Sequence, residues 1–158
     1  MMRTPVLLTT LALLLLTPGA YAQPSPEEEV RAAIETLFDG MRAGDSTAVR
    51  SVFDASAQIA STGFRNGAPV MGLFPAGRFV NAVGTPHEEI WDERIWDLQI
   101  HVRDNLASAW MKFAFFAGDT FSHCGVNSFQ LFRSDGGWKI IFLADTRQTE
   151  NCEMPPGD

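Results

Sequence analysis

Asp145, in the run Leu143-Ala144-Asp145-Thr146-Arg147, is the one carboxylate that strand alternation sets among apolar neighbours near the end of the chain's last strand. Desolvation at such a place raises a carboxyl's pKa toward the range where it serves as a general base or acid. The competing role is structural: Asp145 caps backbone amides, or pairs with Arg147 or Arg65. His123 is the second candidate, because imidazole titrates near neutral pH and can shuttle a proton alone or in a dyad oriented by Asp145. A satisfied structural histidine is its alternative, and His87 and His101 read as surface residues. Three scattered histidines give no ligand cluster, and His87-Glu88-Glu89 lacks the spacing of a zinc-binding helix, so no metal site is expected. No nucleophile elbow, phosphate loop or dinucleotide fingerprint is present either, so no cofactor is expected.

The elements that must position these residues are legible from periodicity. Ser25 and Glu28 form a capping box ahead of Val30, Ala33, Ile34, Leu37, Phe38 and Met41, which recur at helical spacing and predict an amphipathic helix over 26–43. Asp45 caps a second, short helix through Phe53. A strand follows at 57–61, then a Gly- and Pro-rich connection that holds one more strand at 70–74. Pro75 opens a third helix over 76–83, which Gly84 ends. From Glu88 the texture is β, with strands at 89–102, 107–117, 121–132 and 138–147.

Asp104-Asn105, Gly118-Asp119 and the four-residue turn Ser134-Asp135-Gly136-Gly137 join the last four strands as hairpins. Pairing across these turns divides the side chains between two faces. Trp96, Leu98, Ile100, Met111, Phe113, Phe115, Val126, Ile141 and Leu143 share one face with Asp145, expected to be concave and helix-covered. Asp97, Gln99, His101, Trp110, Lys112, His123, Asn127, Phe129, Leu131, Trp138 and Phe142 share the other, with Asp97 and Lys112 as a cross-strand ion pair. This register puts His123 and Asp145 on opposite faces, so a dyad requires a β-bulge, and a bulge would reverse either assignment over part of its length.

Residues 1–22 read as a secretory signal peptide: Arg3, the apolar run Val6 to Leu16, helix breakers Thr17-Pro18-Gly19, and the small-x-small site Ala20-Tyr21-Ala22. An uncleaved anchor is the alternative, but the run of about 11 apolar residues falls short of the roughly 20 that span a bilayer. Cleavage after Ala22 would leave residues 23–158 as a single domain, exported to a periplasm or secreted, with no membrane attachment. The whole chain carries 12 basic and 19 acidic residues, a formal charge of −7, and loses Arg3 with the leader. Nucleic acid and anionic membrane are poor partners for such a surface. Cys124 and Cys152 both survive cleavage, and an even count in an exported chain favours a disulfide over a reactive or metal-binding thiol.

Trp110, Phe113-x-Phe115, Ser122-His123-Cys124-Gly125-Val126, Phe129-x-Leu131, Gly137-Trp138-Lys139-Ile140, Leu143 to Arg147 and the late Cys152, in this order behind three helices, resemble the nuclear transport factor 2-like superfamily, and within it the SnoaL-like domains. The resemblance covers nearly all of 23–158 and implies an α+β fold: a cone-shaped, curved antiparallel sheet packed against N-terminal helices. It also implies a cavity. Position 113 is Phe where a tyrosine would be expected, and Tyr21, the chain's single tyrosine, lies in the leader, so no tyrosine hydroxyl serves this cone.

Three functions fit such a domain, and the fold alone does not choose among them. The first is binding of a small apolar molecule in a cavity lined by Trp96, Met111, Phe113, Phe115, Val126 and Leu143, with Ser128, Gln130 and Asp145 as polar anchors. The second is cofactor-free isomerase, dehydratase or cyclase chemistry through Asp145, alone or with His123; an ion-paired Asp145 would count against it. The third is an interaction module that forms a homodimer through the aromatic outer face of the sheet.

Overall fold

The computed structural model describes residues 23–157. The expected signal peptide, 1–22, lies outside the described residues. The first helix, α1 (Pro26–Ala43), begins at the capping box: Ser25 Oγ accepts from the Glu28 amide at 3.2 Å, and Glu28 Oε2 accepts from the Ser25 amide at 2.6 Å. It ends at Gly44, whose φ of 67° is left-handed. Helix α2 (Ser46–Val52) is capped by Asp45, whose carboxylate accepts from the amides of Thr47 and Ala48. Strand β1 (Phe53–Arg65) turns at Asn66-Gly67, both at positive φ, into β2 (Ala68–Pro75). Helix α3 (Ala76–Val83) leads to β3 (Trp91–Arg103), β4 (Leu106–Ala117), β5 (Thr120–Ser134) and β6 (Gly137–Arg147).

The six strands form one curved, unclosed sheet in the order β2-β1-β6-β5-β4-β3. All neighbours are antiparallel except β1 and β6, which run parallel. The apolar stripe of α1 packs into the concave face, where Phe38 stacks on Phe129 with ring centroids 6.2 Å apart. Phe129, Leu131 and Ile140 are fully buried beneath it. Burial of each such side chain stabilises the fold by about 1.5–3 kcal/mol.

Among β3 to β6, three bulges decide which side chains enter the cone. In β3, Trp96 pairs with Lys112 but Gln99 with Trp110, so one extra residue sits between them, and Asp97 there has a φ of 53°. In β5, Phe115 pairs with His123 but Phe116 with Phe121, which makes Ser122 the extra residue. In β6, Leu131 pairs with Ile140 but Gln130 with Phe142, leaving Ile141 over. Each bulge slips the side-chain phase by one position.

The expected face assignment is corrected accordingly. The Ser122 bulge reverses β5, so His123, Asn127, Phe129 and Leu131 point into the cone, while Val126, Ser128 and Gln130 share the outer face with Lys112, Trp110 and Ser108, their partners on β4. Trp138 and Ile140 enter the core with them. The Ile141 bulge then restores the phase, and Leu143 and Asp145 face inward as expected. The β3 bulge turns Trp96 outward and Glu93 and Ile95 inward, while Leu98 and Ile100 stay inside. On the outer face Lys112 pairs with Asp97 at 3.0 Å, as expected, and with Glu153 of the C-terminal tail at 2.7 Å.

Cys124 and Cys152 are joined by a disulfide, with Cα atoms 5.9 Å apart. The bridge holds the tail against the outer side of β5. There Gly125 has no room for a side chain, since a Cβ would run into the Thr146 carbonyl and hydroxyl.

Candidate ligand-binding site

A cavity of about 510 Å³ opens at the mouth of the cone, between α3, the end of α1 and the inner face of the sheet. Its apolar wall is Met41, Phe74, Phe79, Ala82, Trp91 and Phe115; its polar wall is Arg78, Glu93, Ser122, His123 and Arg147. Helix α3 brings Arg78, Phe79 and Ala82 to the rim because positions three and four apart share a helix face. The bulges in β3 and β5 supply Glu93 and His123 from the sheet. A volume of this size suits a small organic molecule.

Glu93 is the most perturbed group. Burial pushes its carboxyl up to about 7; the hydrogen bond that Asn127 Nδ2 donates to Oε1 at 2.7 Å pulls the other way, nearby Asp145 adds to the rise, and Arg147 opposes it. His123 is held below the usual histidine range, first by burial and then by Arg147, with Asp145 opposing. Its ring lies against Phe115 at 5.1 Å and edge-on to Phe113 at 5.7 Å, and its Nδ1 is 3.0 Å from Ser122 Oγ.

Asp145 is buried behind this wall. Arg147 Nη2 donates to its Oδ2 at 3.2 Å and Nε to its Oδ1 at 3.3 Å, while Ser61 Oγ donates to Oδ2 at 3.1 Å. His123 and Asp145 therefore share a face and sense each other's charge, yet Arg147 occupies the carboxylate and no hydrogen bond joins the two. The carboxylate is ion-paired, the arrangement that counts against Asp145 as the base.

Of the ligand contacts expected from the sequence, Phe115 lines the cavity. Met111, Phe113 and Leu143 point inward but are packed in the interior. Trp96 and Val126 line a separate outer groove of about 140 Å³ under the C-terminal tail, with Lys112 and Glu153. Ser128 and Gln130 lie on the outer face and anchor nothing in the cone. Glu93, Asn127, Ser61 and Arg78 went unnoticed in the sequence as site residues. For Glu93 a signal existed: Trp91, Glu93 and Ile95 alternate, then Leu98, Ile100 and Val102 alternate one position out of phase, which marks a bulge between them. Among the described residues no group of three or more His, Cys, Asp or Glu side chains is arranged to hold a metal ion.

Three helices packed into a bent six-stranded sheet, with a half-open cavity at its mouth, define a cone of the nuclear transport factor 2-like class. The chain belongs to the family described as "Putative lumazine-binding", whose profile matches residues 25–142. Among solved structures, a nuclear transport factor 2-like protein with a cystatin-like fold from Novosphingobium aromaticivorans is 16% identical, with a TM-score of 0.62 over 78% of this chain and 82% of that one. The beta subunit of a "putative aromatic-ring-hydroxylating dioxygenase" from the same organism is 12% identical, with a TM-score of 0.63 over 80% of this chain and 92% of that one. A "putative dehydratase" of the same class from Streptomyces avermitilis is 16% identical, with a TM-score of 0.56 over 78% and 96%. These likenesses define the fold alone. No curated protein matches the chain.

Proposed function

We propose that the protein is an exported small-molecule-binding domain whose ligand lies in the cavity at the cone's mouth. The observation that carries this reading is the cavity itself: about 510 Å³, apolar on one wall, with Glu93, His123 and Arg147 converging on the other. The family's description points to a flat heteroaromatic ligand, and a bicyclic ring the size of lumazine is small enough to stack against Trp91 and Phe115. Titration of residues 23–158 with lumazine, followed by tryptophan fluorescence and native mass spectrometry, tests the reading. Saturable binding that Ala82→Phe abolishes supports it. Absence of any bound small molecule, both as purified and on titration, sinks it.

A proton-transfer enzyme is the second reading, and the burial of Glu93 beside the cavity, against the ion pairing of Asp145, favours Glu93 as its base. A carboxyl near 7 at the edge of an apolar cavity, with Oε1 engaged by Asn127, is suited to take and return a proton at neutral pH. Cofactor-free isomerisation, dehydration or cyclisation falls in that class. On this reading Glu93→Gln removes turnover of any substrate found, whereas Asp145→Asn chiefly weakens the fold.

The interaction reading also keeps a surface, although a different one. Phe129 and Trp138 are buried in the core, while Trp110, Leu106 and Phe132 stay exposed on or beside the outer face. A homodimer through that face would dissociate on Trp110→Glu in sedimentation experiments. Export rests on the leader sequence and on the disulfide, a bond that persists in oxidising compartments. N-terminal sequencing of the cell-derived protein tests it, and a start at Gln23 is the expected result.

A further inference from the structure

The arginines on the helices and strands that build the cone are unequal in how they are satisfied. Arg42 pairs with Asp39 and Asp92, Arg94 with Asp92, and Arg147 with Asp145. Arg78 also lines a cavity, but it makes no hydrogen bond or ion pair to any described residue; its guanidinium lies 5.6 Å from the centroid of the Phe74 ring. Stacking on Phe74 restrains the guanidinium and leaves its in-plane N–H groups for an acceptor. Arg147 is half satisfied: Asp145 engages Nε and Nη2, and Nη1 has no acceptor among the described residues. The cavity wall contains a single carboxyl, Glu93, whose charged form burial disfavours, and a histidine held neutral by burial and by Arg147. The unsatisfied valence of the mouth is therefore that of a donor and a cation, in a chain whose formal charge is −7.

We infer that the ligand carries an anionic end group of the carboxylate class, received by Arg78 together with the free edge of Arg147, while its apolar body lies against Phe74, Phe79 and Phe115. A planar carboxylate matches the fork of a guanidinium, and two guanidiniums at one mouth select it over a neutral group of the same shape. The assignment rests on the cavity being the binding site and adds the charge and the end of the molecule that is read.

The test is isothermal titration of residues 23–158 at pH 6.5 with three probes of one shape: 2-naphthoate, 2-naphthamide and 2-naphthylmethylammonium. The expected result is at least tenfold tighter binding of 2-naphthoate than of 2-naphthamide, with the gap falling below threefold in Arg78→Met and unchanged in the surface control Arg31→Met. Arg78 is exposed, so its replacement leaves the fold intact, which circular dichroism verifies. Equal binding of acid and amide, or preference for the ammonium, overturns the inference; if Ala82→Phe still abolishes that binding, the cavity reading stands. If none of the three probes binds, or Ala82→Phe has no effect on those that do, the inference is overturned, and the cavity reading stands or falls separately on the lumazine titration.

Discussion

Glu93 sets the pH response of the inner wall. Its folded pKa is raised from 4.5 to about 7, so between those values the folded protein holds a proton that the unfolded chain has released. Its contribution is fully favourable below the unfolded value and is lost as pH rises through the folded one, a change of about 3 kcal/mol. His123 works in the opposite sense: its folded pKa is lowered, so its neutral form favours folding above the unfolded value and that benefit is lost on acidification. The two are separated by Glu93→Gln, which should remove the loss of stability between about pH 4.5 and 7 and make the variant the more stable protein at pH 8. Urea denaturation across that range reads the effect; parallel curves for wild type and variant would refute it. Asp145 poses a different problem, since it is buried with Arg147 as its one cationic partner among the described residues. Arg147→Met should cost about 1–3 kcal/mol by leaving that charge underpaired, and Asp145→Asn in the same background should recover most of the loss. Both variants are compared by the midpoint and slope of their denaturation curves.

The strands illustrate how one inserted residue redistributes function. The hairpin turn at Gly118-Asp119 is plain in the sequence, yet Ser122 slips β5 by one position, and with it His123 and Asn127 cross into the cone while Val126 and Ser128 leave it. Nothing in the residue types of Phe121-Ser122-His123 announces the slip, because both phases of β5 carry apolar side chains. In β3 and β6 the phase break is visible once sought, in Ile95 against Leu98 and in Ile140 against Leu143. Gly125 is the other constraint at this scale, since β5 and β6 approach there too closely for a side chain. Gly125→Ala should destabilise the protein by roughly 1–3 kcal/mol through overpacking, while Gly72→Ala, with open space around it, should cost less. Thermal melts of the two variants give the comparison, and equal shifts would contradict it.

For the whole molecule, the disulfide ties the last residues to β5 and, with Lys112 to Glu153, closes the outer groove. The loop has a sequence separation of 28, which chain entropy values at roughly 3 to 4 kcal/mol. Reduction should lower the unfolding free energy read from urea denaturation by that amount and leave ligand binding at the opposite face of the sheet largely unchanged. A loss of cavity binding on reduction would show instead that the tail supports the mouth. The opening of the cone is built from elements distant in the chain, α3, β3, β5 and β6, which is why a carboxyl at position 93 and arginines at 78 and 147 become neighbours of one cavity.

Local order was decided by the sequence alone. The capping box at Ser25, the helical spacing of α1 and the hairpin turns depend on interactions within a few residues and are readable for that reason, whereas β1 runs Phe53–Arg65 where the sequence indicates a strand only at 57–61. The α+β cone followed from their order, and the pairing of Cys124 with Cys152 from their even count. The tertiary structure decided the inner surface of the cone. A strand's side chains change faces with a single extra residue, and whether a bulge forms depends on the curvature the whole sheet must adopt around α1. That is why alternation along β6 places Asp145 on the inner face but does not decide its pairing with Arg147, and why Glu93 becomes a residue of the cavity only through the packing of the strands.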